Sequence, residues 1–282
     1  MNNSFDIKTD LELVLDDGLT IDDIASLSGV SARTIKYILS TSDKTVTDGT
    51  LNKLYSCIYR LGYKLNYAKE EVFKAVHKHA LFHGSKFGLD TITSNGSRSN
   101  CDFGPGFYLG ESYLSAAEFV FESSCPSVYA FDFDETDLNI VKLSCSLEWM
   151  ILICYYRGTI DSYKDSKIVK NAVKLIDNAD IIIAPIADNK MFYVMQQFAS
   201  GDITSDQALY SLSASSLGMQ YVFKTEKAIA SLKGIERLYL SDGEKGDIRF
   251  MSRKHGEKID TKLKLAKREY RGKGLYIDEL FK

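Results

Sequence analysis

Residues 104–109 read Gly104-Pro105-Gly106-Phe107-Tyr108-Leu109, a glycine–proline turn that feeds an aromatic strand. An Ala-rich helical stretch, Ser115 to Phe121, follows it, and Leu81-Phe82-His83-Gly84-Ser85 precedes it as a short strand running into a turn. Val128 to Phe133 and Asn139 to Leu143 carry the β-branched and aromatic residues of strands, and Ile181 to Ala184 and Gln220 to Phe223 complete the set. Helices from Lys190 and from Ser205 lie between the last two strands. Strands mixed with helices, without a regular βαβ cadence, predict an α+β fold.

Upstream of this region, residues 1–66 read as a small all-α bundle. Leu11, Val14 and Leu15 share one helical face, and Thr20 caps a second helix whose first turn holds Asp22 and Asp23. Gly29 breaks that helix and Ser31 caps the next, while Leu51, Leu54, Tyr55, Ile58 and Leu61 recur at helical spacing up to Gly62. Ala25, Gly29 and Ile35 fit a close-packed small residue, an αL turn and an apolar plug between two helices. This spacing resembles the phage-repressor-like helix-turn-helix domains. The resemblance makes residues 31–39 a recognition helix, presenting Ser31, Arg33, Thr34, Lys36 and Tyr37 to DNA. Nine acids against seven bases in residues 1–66 keep a second reading open, a small helical bundle used for dimerisation or partner docking.

The chain's 282 residues are 45% hydrophobic and 26% charged, enough to bury a full core and to exclude global disorder. Its net charge of -3 argues against a whole-chain polyanion binder. Twelve bases and eight acids fall in the polar stretch 241–282, a local positive excess compatible with a nucleic-acid acceptor or with a solvated face. The five cysteines form no C-x-x-C pair, and His77 and His79 have no third ligand at workable spacing, so no metal site is expected. No signal sequence is visible, and the apolar runs Trp149–Tyr156 and Ile181–Ala187 are far shorter than the roughly 20 residues that span a bilayer. A cytoplasmic protein without a membrane partner is expected. The expected division is a helix-turn-helix domain at 1–66, an α+β domain at 67–240 and a basic extension at 241–282.

Three ordered segments of the 67–240 domain carry a family resemblance, which makes this the NAD-binding domain. His83-Gly84-Ser85, Gly104-x-Gly106-x-Tyr108 and the strand Gln220-Tyr221-Val222-Phe223 resemble, over roughly residues 78–236, the ADP-ribosyltransferase superfamily. The branch is the one with a His-Tyr-Glu triad, shared by diphtheria toxin and the poly(ADP-ribose) polymerases. The region is also similar to an uncharacterised bacterial branch carrying Phe-Gly-x-Gly-Phe-Tyr-Leu, an Asp-Ile-x-Ile-x-Pro-x-Ala-Asp segment (here Asp180 to Asp188) and a late Gln. The resemblance implies a split β-sandwich with helices that binds NAD as co-substrate.

By that likeness His83 bonds the adenosine ribose, Gly84 offers backbone groups to the nicotinamide amide, and Ser85 touches the nicotinamide ribose. Gly106 belongs to the cofactor-binding turn, and Tyr108 and Phe119 sandwich the nicotinamide ring. Phe119 stands where the polymerases carry a second tyrosine. Gln220 replaces the family's Glu; it accepts the same ribose hydrogen bond but has no charge and is no base. The catalytic set is then Gln220, Tyr108 and His83.

The implied activity is single ADP-ribose transfer to a macromolecular acceptor, protein or nucleic acid, by a bacterial effector of a toxin–antitoxin or anti-phage module. Such an effector is held by an antitoxin or regulatory partner. The alternatives are a non-catalytic helix-turn-helix regulator that senses NAD or ADP-ribose, and an NAD glycohydrolase.

Overall fold

The computed structural model describes residues 5–40, 46–213 and 218–282. Its first elements are α1 (Ile7–Asp16), α2 (Ile21–Ser28), α3 (Ala32–Leu39), α4 (Asp48–Arg60), α5 (Leu65–Val76), β1 (Leu81–Ser85), β2 (Phe107–Gly110) and α6 (Tyr113–Glu118). Then come β3 (Ser127–Phe133), β4 (Ile140–Lys142), α7 (Leu147–Tyr156), α8 (Lys167–Lys174), β5 (Ile181–Pro185) and α9 (Asn189–Ala199). The last are α10 (Ser205–Ser213), β6 (Met219–Phe223), α11 (Glu226–Ala230), β7 (Leu232–Tyr239), α12 (Asp242–Glu269) and α13 (Ile277–Leu280). The chain is α+β. It sorts into two units: one takes the residues up to Asp90 with Ser112–Phe133 and Lys233–Met251, the other Thr91–Glu111, Asp134–Leu232 and Ser252–Lys282.

In the first unit local chemistry sets the helix ends. Thr20 and Asp23 form a reciprocal capping box, the Thr20 hydroxyl accepting from Asp23 N at 3.1 Å and the Asp23 carboxylate from Thr20 N at 3.0 Å. Gly29 closes α2 at φ +70°, and the Ser31 hydroxyl accepts from Thr34 N at 3.1 Å to open α3. Ile35 is fully buried beside Leu11, Ile24 and Leu54, and Ala25 packs against this core half-buried. Leu61, expected in the apolar stripe, is instead the exposed C-cap of α4.

The helices run directly into the strands of the same unit. The expected boundary after residue 66 falls inside α5, where Asn66 Nδ2 donates to the Tyr239 carbonyl at 2.9 Å. Lys69 bridges Asp10 and Glu236, and Tyr55 stacks on Tyr239 with ring centroids 5.0 Å apart. The strands lie in the order β1-β3-β7, with β1 antiparallel to β3 and Leu81 opposite Phe131. A second core beneath them holds Phe73, Phe82, Tyr113, Ala117, Val128 and Leu238. The Ala-rich helix is α6, which starts earlier than expected on a Ser112 cap and ends before Phe119.

The second unit has the order β4-β5-β6-β2: β4 runs parallel to β5, and β6 is antiparallel to both β5 and β2. α7 is apolar on all sides and its residues Trp149 to Cys154 are buried, the pattern of a central core helix. The expected helix over Thr225–Leu232 ends at Ala230, and the chain turns at once into β7. The polar stretch from 241 is helical: in α12, Ile248 is buried in the first unit, while Ile259, Leu263 and Ala266 bury one face in the second. Among the described residues no helix is long and apolar enough to cross a membrane, and all five cysteines are free.

Candidate active site

Gln220 sits in β6 between Gly110 of β2 and Ala184 of β5, and is 7% exposed. Its Nε2 donates to Asp102 Oδ2 at 2.9 Å and to the Pro185 carbonyl at 3.0 Å. A carboxylate and a carbonyl only accept, so chemistry dictates which end of the amide faces them. Both N–H groups are thereby used, and Oε1 has no hydrogen-bond donor among the described residues.

The same chemistry continues behind Asp102. Its Oδ1 accepts from Arg157 Nε at 2.8 Å and from Arg157 Nη2, which also donates to the Ala187 carbonyl at 3.0 Å. The guanidinium lies 4.2 Å from the Phe192 ring centroid. Pro185 O receives a second donor, Trp149 Nε1, at 3.2 Å. A buried ion pair is tolerable when its remaining valences are satisfied in this way.

Asp102 belongs to the loop that leads into Gly104-Pro105-Gly106, and three side chains tie that loop down. The Tyr108 hydroxyl donates to the Gly104 carbonyl at 2.6 Å and accepts from Phe103 N at 3.1 Å. Burial pushes the Tyr108 phenol far above its ordinary range. Lys224 Nζ donates to the carbonyls of Phe103 and Pro105, each at 2.6 Å, and burial lowers its pKa. Ser97 Oγ accepts from Gly106 N at 3.0 Å. A Cβ on Gly106 would meet Val222 Cγ1 at 2.7 Å, so glycine is needed for β6 to pack there.

The other expected NAD residues lie in the first unit. His83 is half-buried on β1 opposite Tyr129, and Ser85 is buried with its hydroxyl donating to the Gly88 carbonyl at 2.7 Å. A Cβ on Gly84 would sit 2.2 Å from the Ala116 carbonyl oxygen, so the approach of α6 to β1 alone requires glycine. Phe119 caps the C-terminus of α6 and is 61% exposed. On α3, Ser31 and Thr34 turn toward the cap with their hydroxyls 2.8 Å apart, while Arg33, Lys36 and Tyr37 are exposed.

Within the second unit, therefore, the structure brings Gly106, Tyr108 and Gln220 together; within the first it brings His83, Gly84 and Ser85 onto one strand. Sequence reasoning missed Asp102, Arg157 and Lys224. The available signal was the chemistry of Gln220, since a buried amide needs acceptors for two N–H groups and Asp102 is the acid just before the glycine turn. The Asp180–Asp188 segment also gains a physical reading. Asp180 accepts from Thr225 Oγ1 and Asn139 N, Pro185 and Ala187 supply the carbonyls of the network, and Asp188 caps α9.

The DUF3990 family, described as proteins of unknown function, matches residues 79–233. That span is more than half of the chain and includes every residue of the network just described; the chain belongs to this family. No curated protein and no solved structure matches it.

Proposed function

We propose that the chain is a cytoplasmic NAD-dependent mono-ADP-ribosyltransferase with the expected split β-sandwich, acting on a protein or nucleic-acid acceptor. The carrying observation is the Gln220 amide, buried, with both N–H groups on acceptors and Oε1 left to receive a donor. A ribose 2′-hydroxyl is such a donor. Breaking the nicotinamide–ribose bond develops oxocarbenium character, and orientation of the sugar by a fixed acceptor lowers the entropy lost on reaching that state.

NAD is the co-substrate and supplies the ADP-ribosyl group. The Tyr108 phenol is spent on the loop, so its ring face is what it offers to nicotinamide, with Phe119 as the second aromatic. His83, Gly84 and Ser85 take the adenosine-ribose and nicotinamide ends as the family likeness implies, and Gly106 keeps the turn narrow. Gln220 cannot act as a base, so one ADP-ribose is transferred to an acceptor that brings its own nucleophile. Arg33, Lys36 and Tyr37, exposed on α3, support contact with DNA or a regulatory partner such as an antitoxin, as expected of a toxin or anti-phage effector.

Incubation of the full chain with NAD labelled in the adenylate tests this reading. Label retained on a macromolecule supports transfer. Free ADP-ribose identifies a glycohydrolase, and intact bound NAD identifies a sensor. Activity unchanged in both His83→Ala and Tyr108→Ala would overturn the enzyme reading.

A further inference from the structure

The residue that makes an amide necessary at position 220 is Asp102. Its two oxygens are divided: Oδ1 takes Arg157 Nε and Nη2, and Oδ2 takes Gln220 Nε2. Arg157 is itself fixed by the Ala187 carbonyl and the Phe192 ring, so Asp102 cannot rotate to exchange its oxygens without breaking both contacts. Asp102 is 6% exposed, and its loop is held by Tyr108 and Lys224. A glutamate at 220 would bring a carboxylate oxygen to the Asp102 oxygen and to the Pro185 carbonyl, three acceptors with no hydrogen between them.

We propose that Asp102, clamped by Arg157, is the positioning residue of Gln220: it holds the amide with Nε2 inward and Oε1 outward, and excludes a carboxylate from position 220. The use of Oε1 toward a ribose hydroxyl rests on the NAD reading above; the orientation itself does not. The charged and titratable groups near the pair are Arg157 from the end of α7, Tyr108 and Lys224, which hold the Asp102 loop, and Cys101 and Tyr156 beside that loop. Glu111 is engaged by Met219 N and the Tyr221 hydroxyl.

The test is an exchange in the full chain. Gln220→Glu, Asp102→Asn and the double variant Asp102→Asn/Gln220→Glu are compared with the parent for NAD cleavage or transfer and for thermal stability from pH 5.5 to 8. At pH 8, Gln220→Glu loses about 100-fold in rate, the scale of losing one oriented polar group in an active site. Its activity returns as the pH falls, because a protonated carboxyl at 220 donates to Asp102 and again leaves a carbonyl outward. Asp102→Asn keeps Oδ1 on Arg157 and turns its NH2 toward Gln220, which flips the amide and costs about 10-fold or more. In the double variant the amide now at position 102 donates to the carboxylate now at position 220, and the net charge equals the parent's. The rate there rises about 10-fold above that of Gln220→Glu, short of the parent because the Pro185 carbonyl still faces a carboxylate oxygen.

Melting temperature follows the same cycle without NAD: Gln220→Glu is destabilised increasingly as the pH rises, and the double variant less so, since only the Pro185 contact stays unmatched there. Full activity and parental stability of Gln220→Glu at pH 8, or a double variant no better than that single one, overturns the positioning role. A parent that neither binds nor consumes NAD overturns the NAD reading instead, and the stability cycle alone then decides the orientation. If Asp102→Asn does not fold, the comparison of Gln220→Glu with the double variant still decides it.

Discussion

The two units each bury a carboxyl group, and they do so differently. Asp102 in the second unit meets a guanidinium on one oxygen and an amide on the other. Glu244 in the first unit, 3% exposed on the first turn of α12, is hydrogen-bonded by neutral donors, Asn66 Nδ2 at 2.9 Å and the Tyr113 hydroxyl, with the charges of Lys64 and Asp247 acting on it from further off. Its other oxygen, Oε1, has no partner among the described residues. Burial therefore pushes the Glu244 carboxyl up to about 7. The lesson is about what each acid can do. A carboxylate paired with a fixed cation becomes a rigid template that orients its neighbour, whereas one buried among neutral groups ties the stability of its region to pH.

The largest expected effect comes from making the first acid resemble the second. Arg157→Ala removes the cation from Asp102 and leaves a buried charge facing only the Gln220 amide. Urea unfolding at pH 8 should show a loss of about 3–5 kcal/mol. An equal loss in Arg157→Lys, which keeps the charge, would mean that Arg157 acts through its packing on Phe192 and not through its charge.

Next is Glu244 itself. Its folded pKa lies above the unfolded value near 4.5, so between these values the folded state holds a proton that the unfolded state has released. Stability contributed here is full below about pH 4.5, falls by about 3 kcal/mol up to about pH 7, and is flat above it. Glu244→Gln should abolish that slope and exceed the parent in stability at pH 8, measured by denaturant midpoints across the range. A parental slope in the variant would place the titration on another group.

Tyr108→Phe asks how far the template depends on its loop. It strands Phe103 N and the Gly104 carbonyl, at a cost of about 1–2 kcal/mol. Because Asp102 sits next to Phe103, the variant should also lower NAD turnover while keeping the aromatic face. A stability loss with turnover intact would separate the loop from the site.

The smallest effect is the control outside both acids. Ser31→Ala removes the α3 cap and should cost about 1 kcal/mol, equally at pH 5 and pH 8. A pH-dependent cost would show that the helical bundle feels Glu244.

Much of this was legible in the chain. The strands at 81–85, 107–110, 127–133, 140–142, 181–185 and 219–223, and the caps at Thr20 and Ser31, announce themselves through alternation, β-branching and short-range hydrogen-bonding chemistry. β7 did not, because Lys233, Gly234, Glu236 and Arg237 break the apolar pattern over a strand whose charged residues find partners inside the fold, Glu236 on Lys69 and Arg237 on Ser127. α12 does not announce itself either, because its apolar residues, such as Ile259, Leu263 and Ala266, are thinly spread among lysines and arginines. His83, Gly84, Ser85, Gly106, Tyr108 and Gln220 were found as motif residues. The physical demands on two of them are now explicit: Gly84 answers to the Ala116 carbonyl, and the Tyr108 hydroxyl to its own loop.

Neighbours along the chain decide where helices are capped, where glycine turns the backbone and which strands are apolar, and the sequence states outright that position 220 is an amide. Why it is an amide is answered only in three dimensions. Asp102 and Gln220 are 118 residues apart, and Asp102 and Arg157 are 55 apart. No periodicity or motif links such positions. Their charges and hydrogen-bonding groups become interdependent only once folding removes water from around them, since it is there that an unmatched donor or carboxylate becomes costly.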